Sequence, residues 1–299
     1  MAIEALRDIV ARLQTSSSAL SALAAALDRR VSGAALDPSI APHIEAVVDA
    51  LGAAGPLEAA SSGEIVPLLG EIRTFALTGS KLLFAASRAA GWSHTEPELL
   101  VAAGDVSLGI PSRLKTAIAP ALDGLAERLD RPGAAFLDVG VGAAVMSAEM
   151  ARLWPSLRVV GIDPWGPALD IARERVRAAG LDGRIELRQQ AGEELTDIDA
   201  FDLAWIPGVF VPERVIAAVV RRVHRALRPG GWLLLPILRP HGEPLPGALA
   251  RLRTAMFGGM VAAPETIEAL LRAHGFTAVR ALPSPPTALT AMVVGRREH

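Results

Sequence analysis

Apolar residues before about Asp130 recur every three or four positions, which is the spacing of amphipathic helices. This pattern predicts helices over Ile3–Leu27, Ile40–Leu51, Glu64–Ala90 and Ser112–Leu129. Thr95 and Glu98 have the spacing of a capping box, which predicts the start of one more helix at this point. Residues 1–130 are therefore predicted to form an all-helical N-terminal domain.

After Pro132-Gly133, short apolar runs alternate with helical segments. Strands are predicted over Ala135–Val139, Arg158–Ile162, Arg184–Arg188, Phe201–Ile206, Trp232–Leu238, Thr277–Leu282 and Ala288–Val294. Strands separated by helices indicate a parallel sheet with helices on both faces. The link between the last two strands is too short for a crossover helix, so these strands should pair antiparallel. Residues 131–299 are thus predicted to form an α/β, Rossmann-like domain with a seven-stranded sheet and an antiparallel last strand.

Composition excludes several kinds of site and partner. The chain of 299 residues has no Cys, which excludes disulfides, thiolate metal sites and cysteine nucleophiles, and it has no Tyr. Its net charge of -2 lacks the basic excess of nucleic-acid binders. No apolar run reaches the roughly 18 residues of a membrane span, and charged residues precede any apolar run at the N-terminus. We therefore expect a cytoplasmic protein without a nucleic-acid or membrane partner.

A glycine-containing turn follows the first predicted strand. Gly140 and Gly142 lie where the strand ends and a helix begins, a place where glycines let a ligand approach the backbone. Asp163 ends the second strand, 21 positions beyond Gly142, where an acid faces the ribose hydroxyls of a nucleoside. The alternative is a tight turn beside an unrelated surface acid. The agreement of loop, acid and strand order favours a nucleoside site.

Two residues bear on the kind of nucleoside. A dinucleotide-binding loop has glycine at its sixth motif position, which is occupied here by Val145. Asp138 lies just before the glycines, and its charge disfavours a pyrophosphate and favours a cationic ligand. The sulfonium and ammonium groups of S-adenosylmethionine (SAM) fit such a field.

Four segments together resemble the class I SAM-dependent methyltransferases, and particularly bacterial small-molecule enzymes of natural-product pathways. These segments are Phe136–Gly142, Gly161–Asp163, Phe201–Leu203 and Leu227–Gly231. The resemblance implies SAM as cofactor, with Asp138, Gly140 and Gly142 in the motif around it, Ala144 as its third small residue and Asp163 as the ribose-binding acid. It also implies methyl transfer to a small molecule.

The sequence departs from the family pattern at two places. Ala191 stands where family members often have an adenine-binding Asp, so Gln190 or a backbone group must take that role. The loop 206–211 has no ionisable group where many O-methyltransferases place a catalytic His. This loop also lacks acids for a divalent ion, so no metal is predicted. Pro207 in the loop is predicted to contact the cofactor.

Aromatic and titratable residues supply further candidates. Trp165 is predicted to lie against adenine, with packing at the sheet edge as the alternative. An apolar acceptor pocket would be walled by Trp205, Phe210, Phe75, Phe84 and Phe257. The candidates for a general base are His94, His241 and Glu213. Each candidate has a structural alternative, as core residue or surface group.

The resulting hypothesis is methyl transfer from SAM to a small hydrophobic or aromatic molecule, driven mainly by proximity and orientation. The accepting atom, whether O, N or C, is left open. A SAM-binding protein without turnover, acting through a partner, is the alternative because no base is identified. The helical N-terminal half is expected to form a lid over the acceptor and to support a homodimer.

Overall fold

A computed structural model of the chain describes residues 2–84, 91–240, 242–285, 288 and 290–298. Its single seven-stranded sheet has the strand order β3-β2-β1-β4-β5-β7-β6. The strands are β1 (Ala135–Val139), β2 (Arg158–Asp163), β3 (Ile185–Gln189), β4 (Phe201–Trp205), β5 (Leu227–Leu238), β6 (Thr277–Ala281) and β7 (Thr290–Arg296). Strands β1 to β5 pair in parallel, whereas β7 is antiparallel to both β5 and β6. The predicted fold class is confirmed.

Helices cover both faces of this sheet because successive strand residues point to opposite sides. Leu137 and Val139 pack with the helices that follow β4 and precede β6, whereas Phe136 packs with those that follow β1 and β2. The helices of this half are α8 (Val145–Leu153), α9 (Gly166–Ala178), α10 (Glu213–Ala226), α11 (Pro244–Phe257) and α12 (Pro264–Ala273). The result is a sheet buried between two helical layers.

The N-terminal half is helical, as predicted. Its helices are α1 (Ala2–Ser32), α2 (Ala41–Ala50), α3 (Ala54–Ala59), α4 (Ser62–Phe84), α5 (Pro97–Asp105), α6 (Ile110–Arg113) and α7 (Leu125–Asp130). Leu27, Ile65 and Leu69 form a small core of their own. Leu114 and Leu129 instead pack in the same core as the sheet. The domain boundary at residue 130 stays a prediction. The last turns before it, which include Leu114 and Leu129, pack against the sheet.

Two local predictions are wrong. The predicted helix Ser112–Leu129 is broken, because Pro120 has no N–H for a continuing helix and Gly124 takes a left-handed φ of 70°. The predicted capping box fails because α5 begins at Pro97, after Glu96, without a side-chain cap. The Glu96 carboxylate instead binds the Lys81 ammonium and accepts the backbone N–H of Thr95.

Candidate active site

The carboxyl ends of the parallel strands border one cavity of about 1010 Å³. In a parallel α/β sheet, ligands bind at this edge, where the strand order changes direction. One end of the cavity is lined by the predicted cofactor residues Asp138, Gly140, Gly142, Asp163, Trp165, Gln190 and Pro207. The same cavity is also lined by Trp205, Phe210 and Phe257 from the predicted acceptor pocket. The volume is sufficient for a nucleoside and a second small molecule.

The loop after β1 has the backbone conformation that its glycines predict. Gly140 has a φ of 71°, and its N–H donates to the Ile162 carbonyl at 2.8 Å. A Cβ at Gly140 would lie 3.2 Å from the Pro207 ring, so a side chain here would crowd the cofactor end of the cavity. Gly142 has a φ of 53°, and no atom lies within 4 Å of the place where its Cβ would be. The loop therefore leaves open space for a ligand beside its backbone.

Asp163 ends β2 and is held in one orientation by two backbone donors. Its Oδ2 accepts the N–H of Gly142 at 2.9 Å, and its Oδ1 accepts the N–H of Trp165 at 2.8 Å. Burial raises the pKa of the Asp163 carboxyl, while these two bonds lower it. A carboxylate fixed at the cavity wall can still accept hydrogen bonds from ligand hydroxyls, since each oxygen has a second lone pair.

Asp138 lies in β1 below the loop and is almost fully buried. The Ser147 hydroxyl donates to its Oδ2 at 2.7 Å. Burial raises the pKa of Asp138 to about 7; the Ser147 hydrogen bond opposes this shift and the Asp163 charge adds to it. A cation placed in the cavity would compensate both buried acids, so the site favours a positively charged ligand.

The end of β3 forms a third wall of the cofactor end. The Gln190 side-chain amide donates to the Glu194 carbonyl at 2.9 Å, and the Gln190 backbone N–H donates to the Asp163 carbonyl at 3.1 Å. Ala191 lines the cavity beside it with a methyl group only. The polar groups of this wall that could bind a ligand are therefore backbone groups of the turn and the side-chain oxygen of Gln190.

Three aromatic rings meet on the acceptor side of the cavity. Trp92 lies edge-on to Phe210, with ring centroids 5.3 Å apart, and 5.7 Å from Phe257. The Phe210 and Phe257 centroids are 5.2 Å apart. Trp205, at the end of β4, is buried and also lines the cavity. Sequence reasoning missed Trp92; its one signal was a Trp next to a Gly in a stretch between two predicted helices.

Other predicted residues do not reach the cavity. Phe75 lies under the Arg253 guanidinium at 4.4 Å, and Phe84 is 90% exposed at the end of α4. Neither ring lines the cavity, so the structure does not bring this part of the predicted acceptor pocket to it. Glu213 is exposed at the start of α10, outside the cavity lining. His241 lies outside the described residues.

His94 is buried beside the cavity without lining it. Its imidazole lies edge-on to Trp92, with centroids 4.8 Å apart, and its Nδ1 is 3.8 Å from a Glu96 oxygen. Its backbone carbonyl accepts the indole N–H of Trp165 at 2.6 Å. The residue therefore supports the wall that Trp92 and Trp165 form.

Neither a metal cluster nor a membrane helix is found in the described ranges. No group of three or more His, Asp or Glu residues there could hold a metal ion. Within the same residues, no helix has the length and apolar character needed to cross a membrane.

Sequence comparisons identify the domain around this cavity. Residues 136–231 match the family model of a methyltransferase domain. Ubiquinone biosynthesis O-methyltransferase of Xanthomonas oryzae pv. oryzae is 33% identical over 124 residues, which are 39% of this chain and 48% of that protein. The U6 snRNA (guanine-N(2))-methyltransferase of Bos taurus is 33% identical over 143 residues, 46% of this chain and 28% of that protein. The chain thus spans about half or less of the length of these relatives.

Solved structures match nearly the whole chain. Human N-acetylserotonin methyltransferase in complex with SAM superposes with a TM-score of 0.65 at 16% identity, covering 100% of this chain and 98% of that one. The mitomycin 7-O-methyltransferase MmcR has a TM-score of 0.60 at 18% identity, covering 99% of both chains. The chain therefore contains a methyltransferase domain over residues 136–231. The fold of the whole chain is shared with these SAM-dependent enzymes, so the predicted resemblance is confirmed.

Proposed function

We propose that this chain binds SAM in the cavity and transfers its methyl group to a small acceptor molecule. The observation that carries the proposal is the Asp163 carboxylate. Two backbone N–H groups, from Gly142 and Trp165, hold it at the cavity wall beside the glycine loop. This geometry suits two vicinal ribose hydroxyls, which would donate to a carboxylate that cannot rotate away.

The residues present fit SAM at every part of the molecule. Asp163 would accept the ribose hydroxyls, and Trp165 with the turn at Gln190 would flank adenine. Asp138 and the backbone of the glycine loop would face the cationic methionine part. SAM supplies a methyl group already activated by its sulfonium.

The chain's own contribution is positioning. Among the residues that the structure describes, no His lines the cavity, and the loop 206–211 that borders the reacting end has no ionisable side chain. Apolar walls exclude water and hold the acceptor against the methyl group, and such orientation alone is worth several kcal/mol of barrier. Bound SAM would supply the methyl group, and Trp92, Phe210 and Phe257 would hold the acceptor against it. The acceptor's proton would pass to solvent before the acceptor enters the apolar pocket or after the product leaves it.

The acceptor is proposed to be hydrophobic or aromatic. Trp92, Phe210 and Phe257 present ring surfaces to the cavity, and Trp205 and Met292 extend this apolar wall. Aromatic walls bind flat apolar molecules through their large contact area. A nucleic-acid acceptor is disfavoured by the net charge of -2, despite the partial match to an RNA methyltransferase.

The test is calorimetry with SAM followed by turnover of labelled SAM in a small-molecule extract. We expect SAM to bind and label to appear in an extractable small molecule. Binding without any transfer would favour the alternative, a SAM-binding protein that acts through a partner. Absence of SAM binding would refute the proposal. Addition of EDTA should leave turnover unchanged, because no acid cluster for a divalent ion borders the described cavity.

A homodimer is also proposed, through the first half of α1. Every residue from Ile3 to Ser18 is exposed, so this part of the helix extends away from the rest of the described chain. Its large apolar side chains Ile3, Leu6, Val10 and Leu13 recur at spacings of three and four, and Leu20 follows seven positions later, about two turns along the same face. This seam continues into Leu27, which is buried against α4. A stripe of this kind needs an apolar partner.

A second copy of the chain is the partner that fits. The charges of this segment, Glu4, Arg7, Asp8 and Arg12, cancel, so two copies do not repel each other. A membrane-binding helix would instead have an excess of Lys and Arg. Sedimentation should show a dimer that the double variant Leu6→Lys, Leu13→Lys converts to a monomer. A wild-type monomer at micromolar concentration would contradict this proposal.

A further inference from the structure

A short segment, residues 91–94, crosses the cavity edge and is fastened at both ends; we call it the strap. At one end, the indole Nε1–H of Trp165 donates to the His94 carbonyl at 2.6 Å. At the other end, the Gly91 N–H donates to the Ala255 carbonyl in α11 at 2.9 Å. The strap therefore connects the end of β2 with the end of α11.

The middle of the strap forms part of the acceptor wall. Trp92 lies edge-on to Phe210 and Phe257, and its ring lines the cavity. The strap lies so close to α11 that a Cβ on Gly258 would be 3.0 Å from the Gly91 Cα. The position of Trp92 thus depends on where the strap is held.

Hydrogen bonds lead from the cofactor end to this wall. Gly142 and Trp165 both donate their backbone N–H to the Asp163 carboxylate. The Trp165 indole then donates to the strap at His94. A ligand that orders Asp163 and the Trp165 ring would therefore also hold the strap closed.

We propose that Trp165 is a positioning residue, whose indole N–H fastens the strap so that filling the cofactor end orders Trp92 in the acceptor wall. The acceptor pocket is then complete only after the cofactor has bound. This inference rests on the proposed SAM site, since the ligand that fills the cofactor end is taken to be SAM or its demethylated product.

The test measures hydrogen exchange of the strap with and without S-adenosylhomocysteine. The Gly91 amide exchanges when its bond to Ala255 opens. If opening also releases Trp165, ligand at about 100 times its Kd should slow this exchange by about tenfold or more in the wild type. Trp165→Phe keeps an aromatic ring but has no N–H, so saturating ligand should slow the exchange less than about twofold. Calorimetry on each variant sets the saturating concentration.

Trp232→Phe is the matched control. Its indole N–H also donates to a backbone carbonyl, that of Asp123 at 3.2 Å, away from the cavity. This variant should lose thermal stability and keep the wild-type slowing of strap exchange. Three results would overturn the inference while leaving the SAM site intact. The ligand could fail to slow strap exchange in the wild type, it could slow exchange fully in Trp165→Phe, or it could fail to slow exchange in Trp232→Phe. A wild type that does not bind S-adenosylhomocysteine would overturn both.

Discussion

Buried aspartates at the two edges of the sheet have different kinds of partner. At the amino end of β4, Asp202 accepts the guanidinium of Arg128 at 3.2 Å, that of Arg228 at 2.5 Å and the Ala135 N–H at 3.0 Å. At the carboxyl edge, Asp138 and Asp163 are buried to a similar degree. Within the described residues, these two carboxyls accept hydrogen bonds from one hydroxyl and two backbone N–H groups, and none of these donors is a cation.

This difference separates an acid that stabilises the fold from acids that await a ligand. Two arginines compensate the Asp202 charge, and the cavity at the carboxyl edge does not reach this residue. Burial raises the pKa of both Asp138 and Asp163, and both face the cavity. Buried carboxyls without a cationic partner in a cleft mark a functional site, because the missing charge must come from outside.

The largest expected effect is a loss of folding stability at the amino edge of the sheet, where Asp202 is paired with two arginines. Asp202→Asn removes the charge between two partly buried guanidiniums, which should destabilise the protein by about 3 kcal/mol in urea unfolding. Asp199→Asn is the control, because the Asp199 carboxylate that pairs with Arg297 is half exposed and Asn tolerates its positive φ; its cost should stay below about 1 kcal/mol. Equal losses in both variants would contradict the structural role of Asp202.

The next largest expected effect is a loss of SAM affinity at the carboxyl edge of the sheet. Asp163→Ala removes the acceptor for two ribose hydroxyls, so the affinity for SAM should fall by about 100-fold in calorimetry. Asp170→Ala, an exposed acid of the following helix, is the control and should bind SAM like the wild type. Unchanged affinity in Asp163→Ala would sink the assignment of the cofactor site.

Sequence patterns predicted which strand-end residues line the cavity better than they predicted its aromatic wall. Asp138, Gly140 and Asp163 line the cavity as predicted, because strand ends and a glycine turn fix their place in the topology. Phe75 and Phe84 do not line it, since a helical pattern does not say which neighbour a helix face contacts. Trp92 depends on the strap's contacts with α11, a helix that the pattern did not predict. Long-range packing of this kind leaves no local signal.

The smallest expected change in SAM affinity is at Asp138, where a substitution should change stability and binding in opposite directions. In the ligand-free protein its pKa is raised to about 7, against about 3.9 in the unfolded chain. The folded state therefore holds a proton that the unfolded state has lost, so this residue reduces stability as pH rises from about 4 to about 7. Asp138→Asn has no proton to lose there, and its side-chain oxygen can still accept the Ser147 hydroxyl.

We accordingly expect Asp138→Asn to be more stable than the wild type at pH 8, with the difference disappearing toward pH 4. Its affinity for SAM should be about tenfold lower at pH 8, because the carboxylate no longer attracts the cation. Wild-type affinity should rise as pH increases through about 7, whereas the variant's should change less. Urea unfolding and calorimetry across this range measure both effects. A stability difference that does not depend on pH would show that the Asp138 carboxyl is already ionised in the ligand-free protein, and the contrast between the two edges would then rest on Asp163 alone.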